Sequence, residues 1–415
     1  MAHDDLSPTD RRTFLQAGAL VTASTASLGA GASTQDAAPA LPAALPKRPL
    51  GKTGLQISVL DIGTGKGRGV GRLLRYAYSQ GIRAFDTSAA YQSEPDFNAW
   101  FQQEPAVRKE IFIVTKEHEV PTIAGQLPQM IDARCAAMGT DYIDLFFVHS
   151  FGDNGVDASL KLLKSKELKL AAEAAKKSGK LKLFGLSTHH KDRAVILQTA
   201  AEVGFIDAIM VQYSPWLDKE SALNKALDAC HERGIGLISM KQIAGRLRGG
   251  ETLKSILDAV QQRVPTLGER RLSPFQGFLH AIWSDERISS ACVAMQNTDQ
   301  VRENADAARR FEPLKTADIE RLRDAVIAQG LTFCADCDGR CAHAAGTQAA
   351  LGDLTRFLTY HEHHGTRADA RRLYAALPPE ARDWSGADLD AARAACPNRL
   401  DFAKLLPEVE KCLRA

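Results

Sequence analysis

The chain has 415 residues, enough to bury a large core, and its 52 Lys and Arg against 50 Asp and Glu leave a formal charge of +2. So small an excess, without Lys/Arg clusters interleaved with aromatics, excludes a nucleic-acid partner recognised by charge. No run of 18 or more strongly hydrophobic, uncharged residues is present, which excludes a permanent membrane span.

The first segment reads as targeting rather than fold. Asp10-Arg11-Arg12-Thr13-Phe14-Leu15-Gln16 resembles the twin-arginine export motif, a weakly apolar stretch follows from Ala17 to Ala30, and Ala30-Gly31-Ala32 offers small residues for cleavage. Residues 1–32 are therefore expected to be a signal peptide, read by the twin-arginine machinery and directing the chain to the periplasm or otherwise out of the cytoplasm. Its removal takes three Asp and two Arg and leaves a charge of +3. Residues 33–46, rich in Ala and Pro, read as a linker.

Beyond the linker, Arg48 to Ser58 has the Gly-rich turn chemistry of a hairpin. Short apolar strands are then expected at Val59–Gly63, Arg83–Asp86, Ile111–Thr115, Tyr142–Val148, Lys182–Ser187, Ile206–Gln212, Ile235–Met240 and Ile288–Val293. Helical spacing falls between and after them, at Val70–Tyr78, Thr122–Met138, Leu160–Ser178, Asp192–Val203, Ser221–Arg233, Ser273–Ser284 and Thr298–Arg309. Strand and helix in steady alternation predict an α/β fold, a parallel (β/α)8 TIM barrel over residues 47–312, close to the ~250 residues such a barrel takes.

Three of the strands close on an ionisable residue. Asp86 ends the second, Lys116 follows the third, His149 follows the fourth, and Tyr91 comes five positions after Asp86. In a parallel barrel these ends meet over one opening. A free phenol titrates near pH ~10, so Tyr91 exchanges protons poorly near neutrality. A neighbouring Lys116 ammonium would stabilise the phenolate and lower that value, Asp86 would keep Lys116 charged, and His149 would hydrogen-bond a carbonyl oxygen.

The order of these four residues and the spacing of Asp86 and Tyr91 resemble the aldo/keto reductase superfamily, over about Leu50 to Ala308. That resemblance implies an NAD(P)-dependent oxidoreductase interconverting a small-molecule carbonyl and its alcohol by hydride transfer, with Tyr91 as general acid/base. It also implies cofactor contacts. Ser187 and Thr188 match the pair that grips the nicotinamide carboxamide, with Thr188 replacing an amide residue, and Gln212 matches a second carboxamide ligand. Met240 stands where many members stack an aromatic. Ala244, Gly245 and Arg246 would cradle the pyrophosphate, and Gln300, Glu303 and Asn304 match the adenosine end. NADP is the family expectation and NAD the alternative, since Arg302 and Arg246 are the only basic residues near a 2′-phosphate.

Of eight cysteines, Cys135, Cys230 and Cys292 fall in barrel elements and read as small buried hydrophobes. Cys334-x2-Cys337-x3-Cys341 and the later Cys396-Pro397 resemble ferredoxin ligand runs, as in an exported branch of the same superfamily with a ferredoxin-like tail. The match is incomplete. Arg340 stands where a third Cys would, and Gly386, Leu389 and Ala392 precede Cys396 where three cysteines would. Residues 313–415 are thus expected to form a mostly helical tail. Cys334, Cys337, Cys341 and Cys396 would hold one [4Fe–4S] cluster, with zinc or disulfides as alternatives. His361, His363 and His364 read as a polar helix end. A competing reading is a non-catalytic exported barrel that binds a small molecule or relays electrons through the tail.

Overall fold

The computed structural model describes residues 43–65, 69–242, 251–328, 334–362 and 367–414, the side chains of 251–256 excepted. The signal peptide, most of the linker, Ala244, Gly245, Arg246, His363 and His364 lie outside the described residues. Among those described, no helix is long and apolar enough to cross a membrane.

An antiparallel hairpin, β1 (Lys47–Pro49) and β2 (Gln56–Ser58), precedes eight parallel strands: β3 (Leu60–Gly63), β4 (Ala84–Asp86), β5 (Phe112–His118), β6 (Ile143–His149), β7 (Leu181–Thr188), β8 (Ala208–Gln212), β9 (Gly236–Met240) and β10 (Ile288–Ala294). They pair in sequence order, and β10 closes on β3, so the sheet has no free edge. The expected TIM barrel is the fold observed.

Strand alternation divides the apolar residues into two cores. Ala84, Val114, Leu145, Phe147, Leu183, Ala208, Met210 and Ile238 fill the barrel interior, joined from below by Leu50 and Ile57 of the hairpin segment. The opposite parity, including Leu60, Ile62, Phe85, Ile113, Phe146 and Leu186, packs against the outer helices. The hairpin seals the floor because Lys52 N donates to Gly234 O at 2.7 Å and Gly51, at φ +56°, lies where a Cβ would be 2.1 Å from that same oxygen. Only glycine fits there. Gly185 does similar work inside the wall: a Cβ would come within 1.9 Å of Ala208 O, so its absence lets β7 and β8 pair at ordinary spacing.

Two details depart from expectation. The stretch Leu160–Ser178 is two helices, Val156–Leu163 and Lys166–Lys177. Extended backbone at Ser165, whose side chain accepts from Leu168 N, ends one and caps the other. Lys116 lies within β5, which runs two residues further to His118. The helix Thr298–Arg309 has the expected bounds and is capped by Asn297, its side chain accepting from Gln300 N at 2.9 Å.

The C-terminal region is helical, with its own apolar cluster built from residues such as Leu354, Phe357, Leu358, Tyr374, Phe402, Leu406 and Val409. It is pinned to the barrel by polar contacts. Arg193, 2% exposed, bonds Asp336 at 2.5 Å, Asp218 N donates to Ala335 O at 2.9 Å, Ala222 N donates to Asp338 Oδ2 at 2.8 Å, and Arg340 pairs with Asp218.

Candidate active site

Inward parity on adjacent strands brings the four expected residues together. Asp86 ends β4. One strand over, Lys116 faces inward from β5, in register with Phe147 of β6, two residues before His149. Tyr91 lies in the one-turn helix Ala89–Tyr91 just after β4, whose start is capped by the Ser88 hydroxyl accepting from Ala90 N.

Lys116 is 1% exposed and Asp86 3%. Their Nζ and Oδ2 atoms are 2.5 Å apart, and Nζ also donates to Thr87 O at 2.9 Å. Burial opposes the charge on Lys116, but Asp86, with Tyr91 and Cys292, outweighs it and holds the ammonium above its ordinary range. The Tyr91 ring centroid is 5.0 Å from Nζ, and its hydroxyl is 3.5 Å from His149 Nε2. His149 Nδ1 lies 3.3 Å from Ser88 Oγ, and its ring stacks on His118 at 4.7 Å.

Electrostatics correct one expectation. Lys116 is the strongest single influence on Tyr91 and pulls its phenol down, yet burial, Asp86 and Cys292 together leave it above its ordinary value. Tyr91 therefore rests protonated near neutrality. Burial, followed by Lys116, His118 and Lys241, pushes the His149 imidazole down to about 2. A histidine neutral in the fold and titrating near pH ~6.5 when unfolded stabilises above that pH, and the contribution is lost as pH falls from ~6.5 toward 2. Thermal midpoints of the wild type should accordingly drop with acid more steeply than those of His149→Gln. Equal slopes would show that His149 is not held neutral.

The cofactor-matching residues are less uniformly placed. Ser187, Gln212 and Met240 share the inward parity at the barrel's upper rim, with Gln212 opposite Met240. Ser187 Oγ accepts from Ser150 N at 3.3 Å. Thr188, on the outward parity and fully buried, donates to Phe151 O at 2.8 Å and holds the loop after β6. Gln212 Oε1 accepts from the hydroxyl of Tyr360 at 2.7 Å, so the tail helix Leu351–Glu362 touches the barrel rim. At the opposite end, Glu303 accepts from Ser273 Oγ, Gln300 Oε1 accepts from Gln296 N at 2.6 Å, and Asn304 is buried. A cleft of about 490 Å³ opens beside them, lined by Gln276, Arg302, Glu303 and Arg309 among others.

Four participants escaped the sequence reading. His118 is detectable as the inward neighbour of Lys116 two positions on, and Ser88 as a hydroxyl in the Tyr91 loop. Tyr360 carries no local signal. Cys292 is not the plain hydrophobe expected, because its thiol lies against both Asp86 and Asp61. Cys135 and Cys230 are buried, as expected, and burial pushes the Cys230 thiol up to about 12.

The four tail cysteines come together as well. Cys341 lies within electrostatic reach of Cys337 and Cys396, and Cys334 within reach of Cys337; Cys337, Cys341 and Cys396 are buried. The Cys334–Cys341 turn is shaped by Asp336, Asp338 and Gly339, all at positive φ. Backbone amides of Leu400, Asn398 and Arg399 point at the Cys396 sulfur, and Asp336 N donates to Cys334 Sγ at 3.4 Å. All eight cysteines are free thiols. Among the described residues no three of these sulfurs lie within 4.8 Å of one another. A zinc tetrahedron, with sulfurs about 3.8 Å apart for Zn–S bonds of ~2.3 Å, is thus not preassembled.

A closed parallel barrel with an ion-paired Lys, a Tyr and a neutral His at its C-terminal face has the arrangement that the resemblance in the sequence implies. The profile of the aldo/keto reductase family matches residues 68–327, and the chain belongs to that family of NAD(P)-dependent oxidoreductases. Similar proteins include the oxidoreductase YrpG of Bacillus subtilis, 26% identical over 233 residues, which cover 50% of this chain and 69% of that protein. The NADP(+) aldo-keto reductase yakc of Schizosaccharomyces pombe is 30% identical over 181 residues, 40% of this chain and 49% of its own length. L-glyceraldehyde 3-phosphate reductase of Escherichia coli is 25% identical over 308 residues, 62% and 86% of the two chains. A crystal structure of an aldo-keto reductase from Pseudomonas aeruginosa superposes with a TM-score of 0.48 at 23% identity, over 64% of this chain and 95% of that one. Family membership supports the enzyme over the non-catalytic barrel.

Proposed function

We propose that this chain is an exported aldo/keto reductase that reduces a small-molecule aldehyde or ketone, with Tyr91 as the proton donor. The observation that carries the reading is the buried Asp86–Lys116 ion pair beneath Tyr91, with neutral His149 at the same opening. A nicotinamide dinucleotide, NADPH in preference to NADH, supplies the hydride when bound. The rim fits its amide end: Gln212 and Ser187 face inward there and would hold the carboxamide. Gln300, Glu303 and Asn304 would hold the adenosine end beside the cleft. Tyr360 donates to the Gln212 Oε1, which leaves that oxygen's second lone pair and the Gln212 amide N–H groups for a carboxamide.

The chain's own groups then divide the work. The Ser88 hydroxyl has one proton for two acceptors, Lys116 O at 3.2 Å and His149 Nδ1 at 3.3 Å; when it turns to Nδ1, His149 carries its proton on Nε2 and presents it beside the Tyr91 hydroxyl, so two donors meet one carbonyl oxygen. Tyr91 gives up its proton, and the ammonium below it stabilises the resulting phenolate. A phenol that rests protonated favours reduction near neutrality, whereas alcohol oxidation gains from alkaline pH.

Residues 1–32 serve export by the twin-arginine route, which carries folded proteins, and residues 313–415 serve as a ferredoxin-like tail. Four neighbouring thiols, amides aimed at sulfur, and Arg340 and Arg356 beside Cys337 and Cys334 suit a charged iron–sulfur group held by Cys334, Cys337, Cys341 and Cys396. Such a group supplies one-electron exchange. Anaerobically purified protein should contain acid-labile sulfide and about four irons per chain, and Cys396→Ala should bleach its visible absorbance. Zinc in their place, or a covalent bond from Cys334 to Cys341 or Cys396 without iron, would remove the redox role and leave the barrel chemistry standing.

A further inference from the structure

Asp61 is the buried ionisable group that the tetrad leaves unexplained. It sits on the four-residue strand β3, inward by parity, in register with Cys292 on one side and Ala84 on the other. The residue is fully buried, and among the described residues neither carboxylate oxygen has an N–H or O–H partner. Ligand atoms of Asp61, Asp86 and Cys292 lie within 4.8 Å of one another.

The surroundings limit what Asp61 can be. Facing it are Cys292 from β10, Asp86 from β4 and Lys116 from β5, while the hairpin below contributes the apolar Leu50, Leu55 and Ile57. Lys116 is the one cation among them, and its ammonium is already committed to Asp86 Oδ2 and Thr87 O. A second carboxylate in this buried space would face one like charge with only the Cys292 thiol, which it shares with Asp86, as a donor, and two such groups retain a proton between them. The three-residue group also has the composition of a metal site, but the chain's own ammonium already supplies the cation.

We propose that Asp61 is a positioning residue of the proton-transfer site, a carboxylic acid held neutral against Asp86 and Cys292 so that one ammonium balances one carboxylate beneath Tyr91. Burial and then Asp86 push its carboxyl well above the usual carboxylate range, in keeping with the geometry. The consequence is for Tyr91. Asp86 already raises that phenol, and a second anion on the adjacent strand would raise it further and weaken the stabilisation that Lys116 gives the phenolate. A neutral Asp61 leaves that field intact. The role rests on Tyr91 being the proton donor.

The test is infrared spectroscopy of the full-length protein near neutral pH, in water and deuterium oxide. The carbonyl stretch of a buried protonated carboxylic acid should be present and should shift when aspartate is isotopically labelled. Asp61→Asn, which keeps shape and neutrality, should lose the band and keep measurable turnover, whereas Asp86→Asn, which leaves Lys116 facing Asp61 as the one remaining carboxyl, should lose turnover. No labelled band in the wild type overturns the proposal even if Asp61→Asn fails to fold. So does a band that survives Asp61→Asn, or a folded Asp61→Asn that binds cofactor but has no turnover. If instead the band behaves as expected and Tyr91→Phe is fully active, Asp61 is a neutral acid and it is the assignment of Tyr91 that fails.

Discussion

Tyr91→Phe is expected to lower turnover about 100- to 10,000-fold, the range for removing a general acid, with cofactor affinity nearly unchanged. The substitution removes one oxygen and keeps the ring. That ring makes the contacts that hold the loop, an edge-on packing against His149 at 5.7 Å and a position over the Lys116 ammonium. Only the hydroxyl 3.5 Å from His149 Nε2 is lost, and with it the proton donor. Steady-state rates with a simple aldehyde, paired with fluorescence titration of the reduced cofactor, separate the two effects. A variant as active as the wild type rules out Tyr91 as the acid.

Lys116→Met should cost both stability and activity. Lys116 is fully surrounded, and its removal leaves the Asp86 carboxylate buried without a cation, a loss of about 3–5 kcal/mol for a broken buried pair. Turnover should fall because the strongest influence holding the Tyr91 phenol down is gone. Adding Asp86→Leu should recover much of the stability, since no orphaned charge remains, while leaving turnover low. Denaturant unfolding of the single and double variants checks the first point and kinetics the second. A double variant that regained turnover would mean that the pair is structural only.

The barrel was legible because its signals are local and periodic. Eight apolar strands separated by helical patterns admit few topologies, and closing β10 on β3 adds no new sequence requirement. The tetrad was legible for a related reason, since period-two alternation sends Asp86, Lys116 and His149 to one face once the strands are parallel. What escaped depends on sums or on distance along the chain. Asp61 is one acid in a strand of four residues, and its isolation emerges only when β10 and β4 are laid beside it and β5 beyond. The direction of the Tyr91 shift is a balance of one cation against burial and two nearby groups, which no motif records. Tyr360 meets Gln212 across 148 positions, so a tail that looked like an appendage touches the barrel rim. The split of Leu160–Ser178 was readable in principle, because Ser165 with Lys166 and Glu167 after it is a good helix start.

The central claim, hydride transfer to a carbonyl at the barrel mouth, is tested most directly by a single-turnover measurement with reduced cofactor deuterated at the transferring carbon. Mixed with an aldehyde, the wild type should oxidise the cofactor with a primary isotope effect, and Tyr91→Phe should show the same cofactor binding with the oxidation step slowed by orders of magnitude. Cofactor that binds but is never oxidised by any aldehyde or ketone, or that fails to bind at all, would contradict it.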